Sequence, residues 1–226
     1  MINMEIKFPK KEKKVKEKAT KKVGSILSGM FSDQKFPEPL YFQNVDCVAI
    51  PFLFSKKECQ HVIDFAEASE FRNQHRYRAM NFAWLDIVDP YFCEAIWTKC
   101  GLSWFMRSIV VDGLVAVGLN DVVRIHKYVQ GNVFGRHIDQ TVQRADGKVS
   151  RYSLRIYLNG SDAEFEGGGS IFHIPFRADP VVFEPETGLG LIYPQGDQCT
   201  VQEEAEVFFG AKYVLRADIL FGPPNS

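Results

Sequence analysis

From about residue 120 onward the chain is a succession of short apolar runs with two-residue periodicity and no helical spacer, and this pattern sets the fold class. The runs cover 122–128, 133–138, 152–158, 170–174, 181–183, 189–193, 199–203 and 212–221, with Gly, Pro, Asn or Asp between most of them. Alternation sends every second side chain to one face, so each strand has one face to bury. Parallel strands need a crossover helix between them, and none is present. The pattern therefore points to an antiparallel barrel or jelly roll.

The preceding segment has a different texture. Cys47 to Leu53 reads as a short strand. Ser55-Lys56-Lys57-Glu58 is a capping box, in which the serine caps a backbone N–H and the glutamate reaches back. Val62, Ile63, Phe65 and Ala66 then recur at helical spacing, which predicts a helix fading near Ser69. Asp89-Pro90 is a second start signal, and Phe92, Ala95, Ile96 and Trp97 predict a helix ending near Gly101. The fold class is mainly β with supporting helices (α+β).

At 226 residues there is room for one sizeable domain, and a hydrophobic content of 46% with nineteen Phe supplies a core. The net charge of −1 hides an asymmetry, since residues 1 to 22 hold nine Lys against three Glu and carry +6, leaving −7 for the rest. Residues 1–43 read as a basic N-terminal arm, mobile or frayed in its first part, and 44–226 as the domain, with helical support over 44–120 and a β core over 121–221. A solubilising tail is the favoured role of the arm. Nuclear targeting, or a hold on nucleic acid or an anionic membrane, are the sharper alternatives.

No apolar run reaches the roughly 18 residues of a membrane span, and the best, Val110 to Leu119, is broken by Asp112. No secretory signal is visible. The five cysteines show no CxxC spacing, so no disulfide framework is expected, and a cytoplasmic or nuclear location follows from that reading.

His137-Ile138-Asp139 is the first pair with chemical content, because residues two apart on a strand share a face and can converge on one ion. Around it stand Val123 to Gly131 with Tyr128, Tyr157-Leu158-Asn159, the turn Glu166-Gly167-Gly168-Gly169-Ser170, Phe183-Glu184-Pro185-Glu186-Thr187-Gly188, and Gly210-Ala211-Lys212-Tyr213-Val214-Leu215-Arg216-Ala217-Asp218. In that order and with those gaps the set resembles the prolyl 4-hydroxylase-like branch of the Fe(II)/2-oxoglutarate-dependent oxygenases, over about residues 121 to 221.

The resemblance implies a double-stranded β-helix, a jelly-roll or cupin-like barrel, with iron at one mouth. A facial triad of two histidines and a carboxylate there leaves three positions for 2-oxoglutarate and oxygen. It makes His137 and Asp139 the catalytic metal ligands, Lys212 the partner of the distal carboxylate of 2-oxoglutarate, and Tyr128 and Tyr157 hydrogen-bond donors to that cosubstrate. The implied cofactors are Fe(II) and 2-oxoglutarate, with ascorbate as a candidate reductant, and the implied substrate is a prolyl residue in a peptide or protein. Phe71 to Asp86 and Gln140 to Ser150 are the segments expected to cover substrate as a mobile lid.

One position departs from the pattern. The second histidine should lie ten residues before the lysine, and that position is Gln202; no histidine follows His173. Gln202 has three readings: a neutral third ligand, a residue holding a water that ligates, or the mark of a site that has lost iron. Glu203, Glu204 and Asp197 keep a substitute carboxylate open, and strand alternation disfavours Glu203 if Gln202 points inward. His126 shares strand parity with Tyr128 and is the best substitute imidazole. Arg155, in step with Tyr157, points inward, either to the cosubstrate or to a nearby carboxylate. The favoured reading is a dioxygenase with an atypical His137, Asp139, Gln202 site. The alternative is an inactive oxygenase-fold binding or sensing module.

Overall fold

A computed structural model describes residues 27–31, 35, 38–73, 81–161 and 164–224. The Lys-rich run of residues 1–22 and residues 74–80 of the first expected lid segment lie outside them. In chain order the elements are β1 (Leu40–Phe42), β2 (Cys47–Ile50), α1 (Lys56–Glu67), β3 (Arg72–Asn73), β4 (Ala83–Val88), α2 (Pro90–Lys99), α3 (Leu102–Met106), β5 (Val110–Val111) and β6 (Leu114–Val129). Then follow β7 (Phe134–His137), β8 (Val149–Tyr157), β9 (Phe165–Gly167), β10 (Ser170–Phe172), β11 (Val181–Phe183), β12 (Gly190–Pro194), β13 (Gln202–Glu204) and β14 (Val207–Gly222).

Both expected helices form, and their caps are the reason. Ser55 Oγ accepts from Glu58 N at 3.3 Å, and the Glu58 carboxylate accepts from Ser55 N at 2.6 Å, so two otherwise orphaned donors are satisfied at the start of α1. The Asp89 carboxylate accepts from Phe92 N at 3.0 Å, with Pro90 at the first position of α2, where its missing N–H costs nothing. Gly188 ties the barrel to α1. Its φ is +84°, and a Cβ there would stand 1.9 Å from the carbonyl oxygen of Phe54.

A large sheet runs in the order β1-β2-β12-β8-β14-β6-β4-β3, with β5 added on β6 and β9 on β14. A smaller one runs β11-β10-β13-β7. All the pairings are antiparallel. Alternation in the three central strands divides the interior in two. On one face Ile125, Leu154, Ile156, Leu215 and Ile219 pack against Val62 of α1, Ile96 of α2 and Leu102 of α3. The other face turns Tyr128, Tyr157 and Val214 toward Phe172 and Phe183 of the small sheet. A slip of one residue in any of these strands would exchange the two sets, so register is fixed by burial on both sides.

Two segments differ from the sequence reading. Residues 83–86 of the expected lid lie in β4, which runs on to Val88 hydrogen-bonded alongside β6, because Ile87 is buried and Asp86 meets Arg124 at 2.6 Å. Residues 140–150 form a turn fastened by Arg144 to Asn120 at 2.9 Å and to Asp121 at 3.0 Å. No helix among the described residues is long and apolar enough to cross a membrane. All five cysteines are free thiols.

Ser55→Ala removes one cap bond from a helix that buries Cys59, Val62 and Ala66. It is expected to cost about 1 kcal/mol in urea unfolding, with the denaturant slope unchanged.

Candidate functional site

The inward face at one mouth of the barrel carries the residues singled out from sequence. His137 closes β7 and lies in register opposite Gln202, which opens β13. Lys212 of β14 lies opposite Tyr128 of β6, and Tyr157 of β8 opposite Val214. His137, Asp139 and Tyr128 line a cavity of about 10 Å³, shared with His126, Arg155, Glu204 and Arg216. Gln202, Lys212 and Tyr157 sit behind that lining, connected to it through hydrogen bonds.

Asp139 is 4% exposed, and one of its oxygens is heavily committed. Asp139 Oδ2 accepts from Ser153 Oγ at 2.7 Å and Tyr193 Oη at 2.9 Å, and lies 3.0 Å from Arg216 Nη2. Burial alone would raise this carboxyl, but the attraction of Arg216 and Arg155 outweighs it and holds the pKa at about 2. His137 stacks on Phe134 with ring centroids 3.7 Å apart and donates from Nδ1 to the Gly135 carbonyl at 2.8 Å. Burial lowers its pKa. In this neutral tautomer His137 Nε2 carries the lone pair and lies 3.7 Å from Asp139 Oδ1.

Deeper in, a carboxylate stands where the resemblance implies that of a cosubstrate. Glu204 shares strand parity with Gln202, and its Oε2 is ion-paired with Lys212 Nζ and accepts from Ser170 Oγ at 2.7 Å. Tyr157 Oη in turn donates to Ser170 Oγ at 2.6 Å. Glu204 Oε1 lies 2.5 Å from Arg155 Nη1, while Arg155 Nη2 donates to Gln202 Oε1 at 2.9 Å and to Tyr193 Oη at 3.1 Å. Lys212 also donates to the Gly168 carbonyl in the glycine turn. Burial pushes the Glu204 pKa up, but Arg155 and Lys212 pull it further down, so the group is held ionised. With Asp218 3.9 Å from Arg216, three cations (Lys212, Arg155, Arg216) face three carboxylates (Glu204, Asp139, Asp218). The network balances its own charge.

These residues do not fit iron together with 2-oxoglutarate. A diacid of about ten non-hydrogen atoms needs far more room than about one water, and ligand pockets begin near 300 Å³. The cavity here is about 10 Å³. Lys212 already has its counter-ion in Glu204, and Gln202 Oε1 already accepts from Arg155. A divalent cation beside Asp139 would also meet Arg216, which pairs with that same carboxylate. Among the described residues no three His, Cys, Asp or Glu side chains are grouped to hold a metal.

Among the described residues no further histidine completes a triad. His126 lines the cavity, with Nδ1 3.2 Å from Tyr128 Oη, and burial holds its pKa well below the ordinary value, so it is neutral. His173 turns aside to Glu203, at 2.9 Å. Arg216, Tyr193, Ser153 and Ser170 were not singled out from sequence. Arg216 carries a readable signal, being in step with Lys212 along β14, whereas the other three are ordinary strand residues.

Glu204→Gln would leave Lys212 and Arg155 buried without a counter-charge and should destabilise the fold by roughly 3–5 kcal/mol, read by urea unfolding. Because the Asp139 pKa is depressed in the folded state, its contribution is full above about pH 4 and lost as pH falls through about 2. Between pH 5 and 1 the unaltered protein should therefore lose about 2 kcal/mol more stability than Asp139→Asn.

No family model matches this chain, and a search of curated proteins returned no relative. Solved structures do match. A prolyl hydroxylase from Trichoplax adhaerens, in complex with a hypoxia-inducible factor oxygen degradation domain peptide, is similar with a TM-score of 0.60 and 18% identity, covering 92% of this chain and 93% of that one. A viral collagen prolyl hydroxylase from Paramecium Bursaria Chlorella virus-1, in complex with 2-oxoglutarate, gives 0.54 and 15%, covering 82% and 96%. HygX from Streptomyces hygroscopicus, with nickel, 2-oxoglutarate and hygromycin B bound, gives 0.57 and 12%, covering 81% and 85%. At these identities the likeness speaks for the backbone, and the chain has the jelly-roll, double-stranded β-helix fold of the 2-oxoglutarate/Fe(II) oxygenases.

Proposed function

We propose that this protein is a non-catalytic binding module built on an oxygenase fold, its cosubstrate chamber closed by its own side chains. The observation that carries this reading is the position of Glu204, whose carboxylate is shared between Lys212 and Arg155. Glu204 supplies the negative charge that a dicarboxylate would bring to the lysine. Arg155 supplies positive charge close to Asp139, where a metal would otherwise be needed to balance it. Each then satisfies the other, so neither exogenous group has a charge to neutralise. What remains is a rigid barrel whose mouth can present a surface to a peptide or protein.

A second reading is favoured by one observation, the closeness of His137 Nε2 and Asp139 Oδ1. It is an Fe(II)/2-oxoglutarate oxygenase acting on a prolyl residue in a peptide or protein, with His137, Asp139 and Gln202 as ligands and Tyr128, Tyr157 and Lys212 around the cosubstrate. It requires Glu204 to leave Lys212 and Arg155 to release Gln202, two moves that break buried charge pairs.

Anaerobic titration with Fe(II) and 2-oxoglutarate, followed by succinate measurement in air, separates the two. The module reading expects no metal-to-ligand charge-transfer absorption and no succinate. Both signals from the unaltered protein would establish the oxygenase reading instead. In the Arg155→Thr, Glu204→Gly double variant, which empties the chamber and frees Lys212, 2-oxoglutarate should raise the melting temperature, an effect absent in the parent.

A further inference from the structure

Two consecutive phenylalanines stand in solvent near the start of β14, Phe208 56% and Phe209 68% exposed. Regular alternation would send their side chains to opposite faces. The register of β9 against β14 shifts between Val207 and Phe209, so Phe208 is the extra residue of a bulge, and both rings are left on the surface. Gly167 of β9 makes room for one of them. Its φ is +83°, and a Cβ there would stand 2.9 Å from Phe208 Cδ2 and 2.3 Å from the Glu206 carbonyl oxygen. Among the described residues β9 pairs with β14 alone, so its second edge is open to an added strand. None of these residues lines the chamber.

The surroundings of the two rings are acidic. Glu166 lies directly across from Phe209 in the β9–β14 register, and Glu206 comes just before the bulge. The Glu164 backbone is close as well, since its carbonyl oxygen would stand 2.2 Å from a Cβ at Gly210. Glu164, Glu166 and Glu206 are all exposed, and none has an ion-pair partner among the described residues. Carboxylates without counter-ions repel phosphate, which argues against nucleic acid or an anionic membrane on this face. They attract cations, while exposed aromatic rings favour an apolar anchor and an open strand edge favours an extended chain.

We propose that this face is a docking site for an extended basic segment of a partner protein, its apolar side chains on Phe208 and Phe209 and its lysines or arginines toward Glu164, Glu166 and Glu206. This surface gives the binding module its partner and rests on that reading for its purpose. The rings and carboxylates lie outside the chamber, so peptide binding and the iron titration succeed or fail separately.

Fluorescence anisotropy on the full chain, with a labelled peptide of alternating lysine and leucine, tests this against a control peptide of alternating glutamate and leucine. The lysine peptide alone should bind, and its affinity should fall about tenfold or more between roughly 50 and 500 mM salt. A similar loss, about tenfold, is expected in the Phe208→Ser, Phe209→Ser variant and in the Glu164→Gln, Glu166→Gln, Glu206→Gln variant. Both variants should unfold in urea like the unaltered protein, because every substituted side chain is exposed. Bound peptide should also slow amide exchange at 165–167 and 207–210. No binding, equal binding of the two peptides, or binding that either variant leaves intact would overturn the proposal. So would self-association of the full chain that is lost in the same variants, because the face would then hold a second copy.

Discussion

The interior of this barrel depends on one shared carboxylate. Glu204 is buried and touches two cations, Lys212 and Arg155, each of which would be strongly destabilising if left alone in a dry core. Its second contact explains the rest of the chamber. Arg155, held by Glu204 on one side, spends its other nitrogen on Gln202 and Tyr193, and Tyr193 in turn donates to Asp139. A charge at the lysine end is thereby linked through ion pairs and hydrogen bonds to Asp139, beside His137. Buried networks of this kind are stable only when each member is satisfied, and removing any one exposes several others.

The scaffold makes this arrangement possible by dividing labour between the two faces of its central strands. β6, β8 and β14 put Ile125, Leu154, Ile156 and Leu215 against the helices, so packing on that side fixes register independently of what the chamber contains. The inward positions are then free to change chemistry without loss of the fold. On the proposed reading, an internal arginine and glutamate stand where a metal and cosubstrate would otherwise bring charge, which is a substitution of that kind. It keeps the charges and removes the space.

Much of this was legible in the sequence, for physical reasons that can be named. Period-two alternation identified most of the barrel strands, and Ser55 and Asp89-Pro90 marked the helix starts because caps are local interactions. Strand parity also gave the direction of Arg155 and allowed Glu204 to face inward with Gln202. What parity cannot give is the partner. Arg155 and Glu204 meet because β8 belongs to the large sheet and β13 to the small one, and the two sheets face each other across the chamber. β4 was missed for a related reason: its residues 83–88 do not alternate strongly, and their pairing with β6 is decided by Ile87 and the Asp86–Arg124 contact.

A chamber closed from within differs from an open one in a way that diffraction can see directly. Crystals of the unaltered protein soaked at saturating Mn(II) and 2-oxoglutarate should show the Glu204 carboxylate still against Lys212 and Arg155, with no diacid density beside the lysine. Density for 2-oxoglutarate spanning a metal on His137 and Asp139 to the Lys212 ammonium, with Glu204 turned out of the chamber, would contradict it.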